Sequence, residues 1–444
     1  MLIVEKTSQY VRVRIANRFS SSLAQNTLWA LGGYGVRLVI QAAYFIVIVR
    51  YLGPGRYGGF VAATALTNLI APFVGMGSGN LLVKNVARRK SLFPQCWGNG
   101  LAITLLSGVG LVGFVILASI AVLPRSIPVF VILCISVSDL VAVKFVELAA
   151  FAFQAFEMLS ENAHLNVLIS LTRLVGIVAL ALLIPHPNLR AWSIVYLGGS
   201  VFAGLIAVLW ATVRLGRPQL KLSRIRGESV EGFTFSTGLS AQTIYNDIDK
   251  TMLARLGTLE ATGVYSAAYR IIDVAFVPVR ALLNAAYPGF FSHGMEGIRG
   301  TIRYGRRLLL RVLPYSVLVS LALLLGAPIV SLILGPRYAQ VTEALRWLSI
   351  LPLLKTLHYF AADALTGAGY QGTRTAVQIG IAIFNVLFNL WIIPAYGWRG
   401  AAWSSIASDG LLAVTLWLIA IRLSAKAHDR YNESGIAVTE TAQL

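Results

Sequence analysis

The sequence has little of what soluble proteins and common enzymes depend on. Charged residues make up only 12% of the 444 residues, and the 18 acidic residues are outnumbered by 37 basic ones. The two cysteines, Cys96 and Cys134, are far apart and form no CxxC pattern, which argues against a disulfide framework, a zinc site or a thiol enzyme. We interpret both as packing residues.

Several catalytic motifs are also missing. The sequence contains no GxxxxGK[ST] motif, no HExxH motif and no recognisable Ser/His/Asp arrangement, and its five histidines are scattered. We therefore expect no ATP hydrolysis by a P-loop, no metal site and no cofactor. Any uphill step would draw on an ion gradient, the membrane potential or consumption of a product.

What the sequence does contain is apolar residues in long runs. Hydrophobic residues make up 57% of the chain and the mean hydropathy is +0.73, above the roughly 45–50% apolar content of soluble domains. A membrane-spanning helix needs about 20 apolar residues. Twelve such runs lie near residues 24–49, 60–82, 98–122, 128–153, 162–184, 191–212, 233–255, 264–291, 308–333, 344–366, 375–394 and 400–421. The pattern predicts an all-α polytopic membrane protein with twelve transmembrane helices.

The positive charges indicate how these helices are oriented. Lys and Arg concentrate at the termini and in the even-numbered connections, whereas the odd-numbered connections hold few of them. Basic loops stay in the cytoplasm, so we expect both termini there. This placement explains the net charge of +19 without nucleic acid. The longest loops, at about 213–232 and 292–307, are too short for a catalytic domain.

An internal repeat predicts how the helices are grouped. One set of residues, Leu52-Gly53, Gly58-Gly59-Phe60 and Pro72, is echoed by Leu256-Gly257, Gly263-Val264-Tyr265 and Pro278. Ile184-Pro185 with Arg190-Ala191-Trp192-Ser193 is echoed by Ile393-Pro394 with Arg399-Gly400-Ala401-Ala402-Trp403-Ser404. Six helices per copy give a parallel repeat, in which a transported substrate binds between the halves near mid-membrane. The predicted organisation is a basic cytoplasmic segment (1–22), a six-helix bundle (23–212), a cytoplasmic linker (213–232), a second six-helix bundle (233–422) and a disordered cytoplasmic tail (423–444).

Ionised side chains inside the spans are the candidates for function, because each costs about 2.5–3.5 kcal/mol at the bilayer centre on insertion scales. Three pairs are spaced three residues apart, and we expect them to neutralise each other: Lys144 with Glu147, Asp247 with Lys250, and Arg270 with Asp273. Four cations have no such carboxylate: Arg37, Arg173, Arg280 and Lys355. These four either line a pathway for an anionic substrate, since the arginine fork suits phosphate, or pair with an Asp of a neighbouring helix. His358, one turn from Lys355, we interpret as a packed residue.

Several motifs resemble a known family. The first half has Val49-Arg50-Tyr51-Leu52-Gly53-Pro54-Gly55-Arg56-Tyr57-Gly58, then Gly75-Met76-Gly77 and a basic segment from Lys84 to Lys90. The second half has Asp247 to Lys250, Gly263-Val264-Tyr265-Ser266-Ala267-Ala268-Tyr269-Arg270, Leu334-Gly335-Pro336-Arg337-Tyr338, Asn385, Asn389, Ile393-Pro394 and Gly397-Trp398-Arg399-Gly400-Ala401-Ala402. In order and spacing these residues resemble bacterial polysaccharide-biosynthesis flippases of the multidrug/oligosaccharidyl-lipid/polysaccharide (MOP) exporter superfamily, whose other members include the MATE transporters.

The resemblance implies a specific activity. Proteins of this family use two six-helix bundles in a V-shaped, alternating-access arrangement to move undecaprenyl-pyrophosphate-linked oligosaccharides to the periplasmic leaflet of the bacterial inner membrane. It implies that Arg270 contacts the pyrophosphate and that Asp249 and Asp273 act in coupling or gating. From placement alone we add Arg37, Arg173, Arg280 and Lys355 as substrate-binding candidates and Asp139 as a further coupling candidate. The implied partners are the lipid-linked oligosaccharide, the membrane, and a polymerase and chain-length regulator of the same pathway.

Two other functions remain open at this point. A small-molecule or drug antiporter of the same superfamily would need a pocket lined by carboxylates, whereas the isolated charges here are mostly Arg and Lys. A membrane-embedded polymerase or ligase for polysaccharide would need a sizeable outer loop, and the outer connections are short. The flippase is the function that the sequence favours.

Overall fold

A computed structural model describes the backbone of residues 2–221 and 247–441, and side chains within 35–221 and 247–425 except at position 159. This part of the chain is helical and contains no β-strand. The helices are α1 (Leu2–Ile70), α2 (Ser78–Arg88), α3 (Phe93–Val122), α4 (Val129–Val137), α5 (Val143–Ala155), α6 (Leu159–Leu183), α7 (Leu189–Leu215), α8 (described over 247–256), α9 (Leu259–Ala275), α10 (Val277–Gly294), α11 (Ile298–Leu334), α12 (Val341–Leu348), α13 (Leu351–Gly367), α14 (Gln371–Tyr396) and α15 (Trp398–Thr441).

The predicted all-α polytopic membrane fold is confirmed. Among the described residues, eight helical segments are long and apolar enough to span a membrane, or nine if the bent pair α9 and α10 forms one span. A twelve-helix layout is compatible with this number. The first predicted span lies in α1, which breaks at Gly53 (φ 71°, ψ 169°), and the second runs from the end of α1 into α2. The tenth is divided between α12 and α13, and the seventh, 233–255, lies partly outside the described residues.

One predicted loop is partly helical. Residues 298–307, predicted as part of a cytoplasmic loop, form the first turns of α11. This segment contains no proline that would stop a helix. The disordered tail predicted at 423–444 stays a prediction. Most of the predicted linker 213–232 lies outside the described residues.

The chain forms two compact units. Unit 1 comprises Met1–Tyr51, Ile70–Ala118 and Pro128–Thr237, and unit 2 comprises Leu52–Leu69, Ser119–Ile127 and Gly238–Leu444. The predicted bundles 23–212 and 233–422 assign 52–69 and 119–127 to the first half, whereas these two segments pack within unit 2. The boundary of the two bundles stays a prediction.

Each unit has its own packed interior. In unit 1, Trp97, Phe153 and Ala207 are fully buried among residues of α2, α3, α5 and α7. Both cysteines are buried and neither forms a disulfide bond, as expected for packing residues. In unit 2, α14 and α15 are joined by polar side chains, because the Asn385 amide donates to the hydroxyls of Ser404 (3.3 Å) and Ser408 (2.9 Å). Small polar residues of this kind hold helices together in membranes.

A bidentate ion pair holds the short helix α12. The Arg399 guanidinium donates to both carboxylate oxygens of Glu343, each at 2.8 Å. These hydrogen bonds lower the pKa of the exposed Glu343 carboxyl. The pair joins α12 to the start of α15, at the connection that leads into α13.

Within unit 2, two glycines of the repeat, Gly58 and Gly263, each lie against a backbone carbonyl group of the other repeat segment. A Cβ atom at Gly58 would lie 1.8 Å from the Leu259 carbonyl oxygen, and one at Gly263 would lie 2.0 Å from the Pro54 carbonyl oxygen. Residues 54 and 58 correspond to 259 and 263 at an offset of 205. Each of these two segments therefore makes the same contact with the other, which is the pattern of a local two-fold arrangement.

Candidate functional site

Several of the predicted charged residues fall into two clusters, one in each unit. In unit 1, Asp139 lies in a single π-helical turn, Ser138–Ala142, which joins α4 to α5. Such turns shift the helix register and are frequent at functional sites. They cannot be read from hydrophobic spacing, so the sequence did not indicate this one.

Asp139 is shared by a tyrosine and an arginine. The Tyr196 hydroxyl donates to Asp139 Oδ1 at 2.7 Å, and Arg173 Nη2 lies 3.4 Å from the same oxygen. The Arg173 guanidinium also lies 4.6 Å from the centre of the Tyr196 ring. Arg173 is therefore paired with a neighbouring helix, the second of the two alternatives left open for it. Arg37, on α1, is half-buried in the same unit.

In unit 2, a buried carboxylate is surrounded by hydroxyl groups. The Tyr265 hydroxyl donates to Asp249 Oδ2 and lies 2.9 Å from Ser405 Oγ, and Ser405 Oγ lies 3.3 Å from Asp249 Oδ2. The backbone N–H of Lys250 donates to Asp249 Oδ1 at 2.7 Å. Asp249 is 3% exposed, so these donors replace the water that a carboxylate loses on burial.

Next to Asp249, two lysines contact one tyrosine ring. Lys250 Nζ and Lys355 Nζ each lie 4.5 Å from the centre of the Tyr269 ring. Lys250 also donates to Asp247 at 2.6 Å, and Lys355 Nζ lies 3.7 Å from Asp273. The ring's negative faces attract both ammonium groups and offset part of their mutual repulsion.

One predicted ion pair is wrong. Asp273 pairs with Lys355 of α13 and not with Arg270, three residues away on its own helix. The reason is burial: the Lys355 side chain is 4% exposed and needs a carboxylate, whereas Arg270 is exposed and can remain hydrated. The other two predicted pairs are confirmed, with Lys144 2.7 Å from Glu147 and Lys250 2.6 Å from Asp247.

Arg270 and Arg280 are the two exposed cations beside this cluster. Arg270 follows Tyr269 on α9, and Arg280 lies on α10 with its guanidinium 5.8 Å from the Phe276 ring centre. Among the side chains described within 35–221 and 247–425, neither guanidinium makes an ion pair with a carboxylate. Their donors are thus available to an anion.

The sequence missed a second buried pair in unit 2. His358 Nε2 lies 3.5 Å from Asp409 Oδ1, and the two side chains are 5% and 2% exposed. Neither atom has a hydrogen-bond partner of good geometry in the described part of the chain. Both residues were visible as polar residues inside apolar spans, but His358 lies on α13 and Asp409 on α15, so only the packing of the helices brings them together.

Tyr265 and Tyr269 could have been found from spacing. With Asp273 they occupy positions four residues apart on α9, and therefore one face of that helix. No comparable spacing in the sequence pointed to Tyr196 or Ser405. Among the described residues, no group of three or more His, Cys, Asp or Glu side chains is arranged to hold a metal ion.

Comparison with solved structures identifies the fold. An inward-facing multidrug resistance MATE family transporter of the MOP superfamily matches with a TM-score of 0.72 at 16% identity, over 89% of this chain and 98% of that chain. The lipid II flippase MurJ in its inward closed conformation matches with a TM-score of 0.72 at 11% identity, over 89% and 87%. A MOP superfamily transporter from Pyrococcus furiosus matches with a TM-score of 0.56 at 16% identity, over 90% and 94%. At these identities the matches show a shared fold.

Sequence comparison identifies the family. An uncharacterized membrane protein of Methanocaldococcus jannaschii is 24% identical over 178 residues, 39% of this chain, and the match spans about a third (31%) of that relative's length. Residues 23–293 match the model of the family described as polysaccharide biosynthesis protein. Because these residues are more than half of the chain, this chain belongs to the polysaccharide biosynthesis protein family.

Proposed function

We propose that this chain is a flippase that moves an undecaprenyl-pyrophosphate-linked oligosaccharide repeat unit from the cytoplasmic to the periplasmic leaflet by alternating access. The product would supply a surface polysaccharide such as O-antigen, capsule or exopolysaccharide. The observation that carries the proposal is the pair of exposed arginines, Arg270 and Arg280, beside the buried lysines around Tyr269. Family and fold are those of membrane transporters and flippases.

The chemistry of the cluster fits a pyrophosphate. Asp247 and Asp273 are already paired with Lys250 and Lys355, so the arginines are the cations left to meet an incoming anion. Arginine binds phosphate through two parallel N–H donors, and such charge-assisted bonds are about twice as strong as neutral ones. In this proposal Arg270 and Arg280 bind the pyrophosphate directly, while Lys250 and Lys355 supply a positive background.

The remaining candidates receive secondary roles in this proposal. Arg37 of unit 1 lines the substrate path, Arg173 holds Asp139 in place, and Asp139, Asp249 and Asp273 take part in coupling or gating. The protein lies in the bacterial inner membrane with both termini in the cytoplasm, where basic segments remain. A polymerase and a chain-length regulator of the same pathway would act on the product.

Substitution of Arg270 tests the proposal. In proteoliposomes containing a labelled undecaprenyl-pyrophosphate oligosaccharide, we expect Arg270→Gln to slow translocation about tenfold, the factor for losing about 1.4 kcal/mol of charged hydrogen bonding. Arg270→Lys keeps the positive charge but loses the forked pair of N–H donors, so its translocation rate should lie between those of the parent and of Arg270→Gln. Translocation is measured as access of an added glycosidase to the sugar.

Arg190→Gln is the control, because Arg190 is exposed at the start of α7 and lies outside both clusters. It should translocate at the parent rate. If Arg270→Gln also equals the parent, Arg270 does not bind the substrate. If the parent itself moves no lipid-linked oligosaccharide, the proposed function is wrong.

A drug antiporter of the same superfamily is the second candidate. Two carboxylates buried in unit 2, Asp249 and Asp409, favour it, because a buried acid can exchange a proton or metal ion for an organic cation. Efflux of a fluorescent organic cation from the same proteoliposomes, abolished by Asp249→Asn, would establish this function in place of the flippase.

A further inference from the structure

Unit 1 contains an apolar groove that the charged clusters do not use. Its volume is 610 Å³, within the roughly 300–1,000 Å³ range of ligand pockets. It lies between α3, the end of α4 with the adjoining π-helical turn and α5, and α7, and all fourteen lining residues are apolar. Leu105, Leu205 and Leu220 are 46%, 60% and 66% exposed, so the groove is open. A sugar or drug would find no polar partner there, whereas a hydrocarbon chain needs none.

One end of the groove is lined by a short strap, residues 217–221, that follows α7. The strap is fixed to α3: Lys221 N donates to Asn99 Oδ1 at 2.9 Å, Asn99 Nδ2 donates to Lys221 O at 3.3 Å, and Gln219 N donates to Pro94 O at 2.8 Å. A Cβ atom at Gly98 would lie 2.5 Å from the Gln219 carbonyl oxygen. This close contact fixes Pro218 and Leu220 in the groove wall.

The strap places positive charge at this end of the groove. Arg217 and Lys221 are exposed on either side of the lining residues Pro218 and Leu220. The basic segment 84–90 lies at the same end, because Lys90 Nζ is 5.7 Å from the Phe156 ring, which packs at 5.4 Å on Phe93, and Phe93 lies against Gly216. An apolar groove that ends in cations matches the two parts of an anionic lipid.

We propose that this groove binds one acyl chain of an anionic membrane phospholipid, with the lipid phosphate held by Arg217 and Lys221. Basic pockets between membrane helices on the cytoplasmic side bind such headgroups, and each nearby Lys or Arg contributes about 1 kcal/mol. The groove has the size of a single acyl chain and is too small for a whole undecaprenyl chain. The occupant is therefore a bilayer phospholipid and not the tail of a lipid-linked oligosaccharide, and this inference does not depend on the proposed function.

Lipid retention by the purified full-length protein in neutral detergent tests the proposal. Native mass spectrometry is recorded with added phosphatidylglycerol, with phosphatidylcholine of the same acyl chains, and with undecaprenyl phosphate. We expect phosphatidylglycerol to be retained in preference to the other two. Arg217→Gln and Lys221→Gln should each weaken phosphatidylglycerol binding about fivefold, which corresponds to about 1 kcal/mol, and leave phosphatidylcholine unchanged.

A variant that fills the groove tests whether the acyl chain of the lipid lies there. Ala102→Trp places a large side chain in the groove and should abolish phosphatidylglycerol retention, whereas Ala118→Trp, at another half-buried alanine of α3, should not. Arg217 and Lys221 are exposed, so Arg217→Gln and Lys221→Gln should still fold and test the proposal if Ala102→Trp does not. Equal binding of phosphatidylglycerol and phosphatidylcholine, stronger binding of undecaprenyl phosphate, or full retention by folded Ala102→Trp would overturn the proposal.

Discussion

Replacing Lys250 with methionine is expected to destabilise the protein by about 3 kcal/mol. The Lys250 side chain is 11% exposed and donates to Asp247, which is 22% exposed, at 2.6 Å. Removing one partner of a buried ion pair costs about 3–5 kcal/mol, because the other charge is left in a medium of low dielectric constant. The midpoint of unfolding in a denaturing detergent titration of the purified protein measures the loss.

Two further variants separate burial from ion pairing as such. Lys144→Met breaks a pair of the same spacing and nearly the same length, 2.7 Å, but Glu147 is 49% exposed and can be hydrated. We expect a loss of less than about 1 kcal/mol there. Adding Asp247→Asn to Lys250→Met should restore part of the lost stability, because the Asp247 charge is then removed together with its partner, while Asp249 keeps its hydroxyl and backbone donors. Equal effects of Lys250→Met and Lys144→Met would mean that the Asp247 carboxylate is not buried.

The contrast between predicted and observed ion pairs shows what local spacing can determine. Lys144 with Glu147 and Asp247 with Lys250 were predicted because residues three apart share a helix face whatever the rest of the fold does. Arg173 with Asp139, Lys355 with Asp273 and His358 with Asp409 each join two helices. The sequence indicates that such cations need an anion. Which carboxylate lies near each cation depends on how the helices pack, and the spacing of apolar residues does not determine that packing.

The same limit explains the incorrect Arg270–Asp273 pair. Spacing placed both residues on one face of α9, but it carried no information on Lys355, which approaches that face from α13. The most buried cation takes the available carboxylate, because it has the most solvation to recover. The exposed arginine that remains is the feature on which the proposed flippase activity rests.

The fold itself was easier to predict than the site. Apolar runs fixed the membrane class and most spans, since a bilayer imposes one helix length on every crossing. Predictions were poorest where helices join. The break at Gly53, the π-helical turn at 138–142 and the helical first turns of α11 depend on contacts or on a few backbone angles that leave no periodic pattern.

Substituting alanine for Gly58 or Gly263 is expected to destabilise the protein by about 3 kcal/mol in each case. The new methyl group would lie 1.8 Å or 2.0 Å from a carbonyl oxygen, and the backbone segments would have to separate, which places the cost at the upper end of overpacking effects. Gly113→Ala on α3 is the control: its Cβ meets no atom within 4 Å, and alanine favours a helix by about 0.5–1 kcal/mol.

The internal repeat also predicts how the effects of the Gly58 and Gly263 substitutions are related. If Gly58 against Leu259 and Gly263 against Pro54 are one contact seen from both sides, the single substitutions should cost similar amounts. The double substitution should cost clearly less than their sum, because the segments separated by the first methyl group already have room for the second. Additive losses, or a loss at one glycine alone, would show that the two contacts are independent and that the match at an offset of 205 does not reflect a two-fold arrangement.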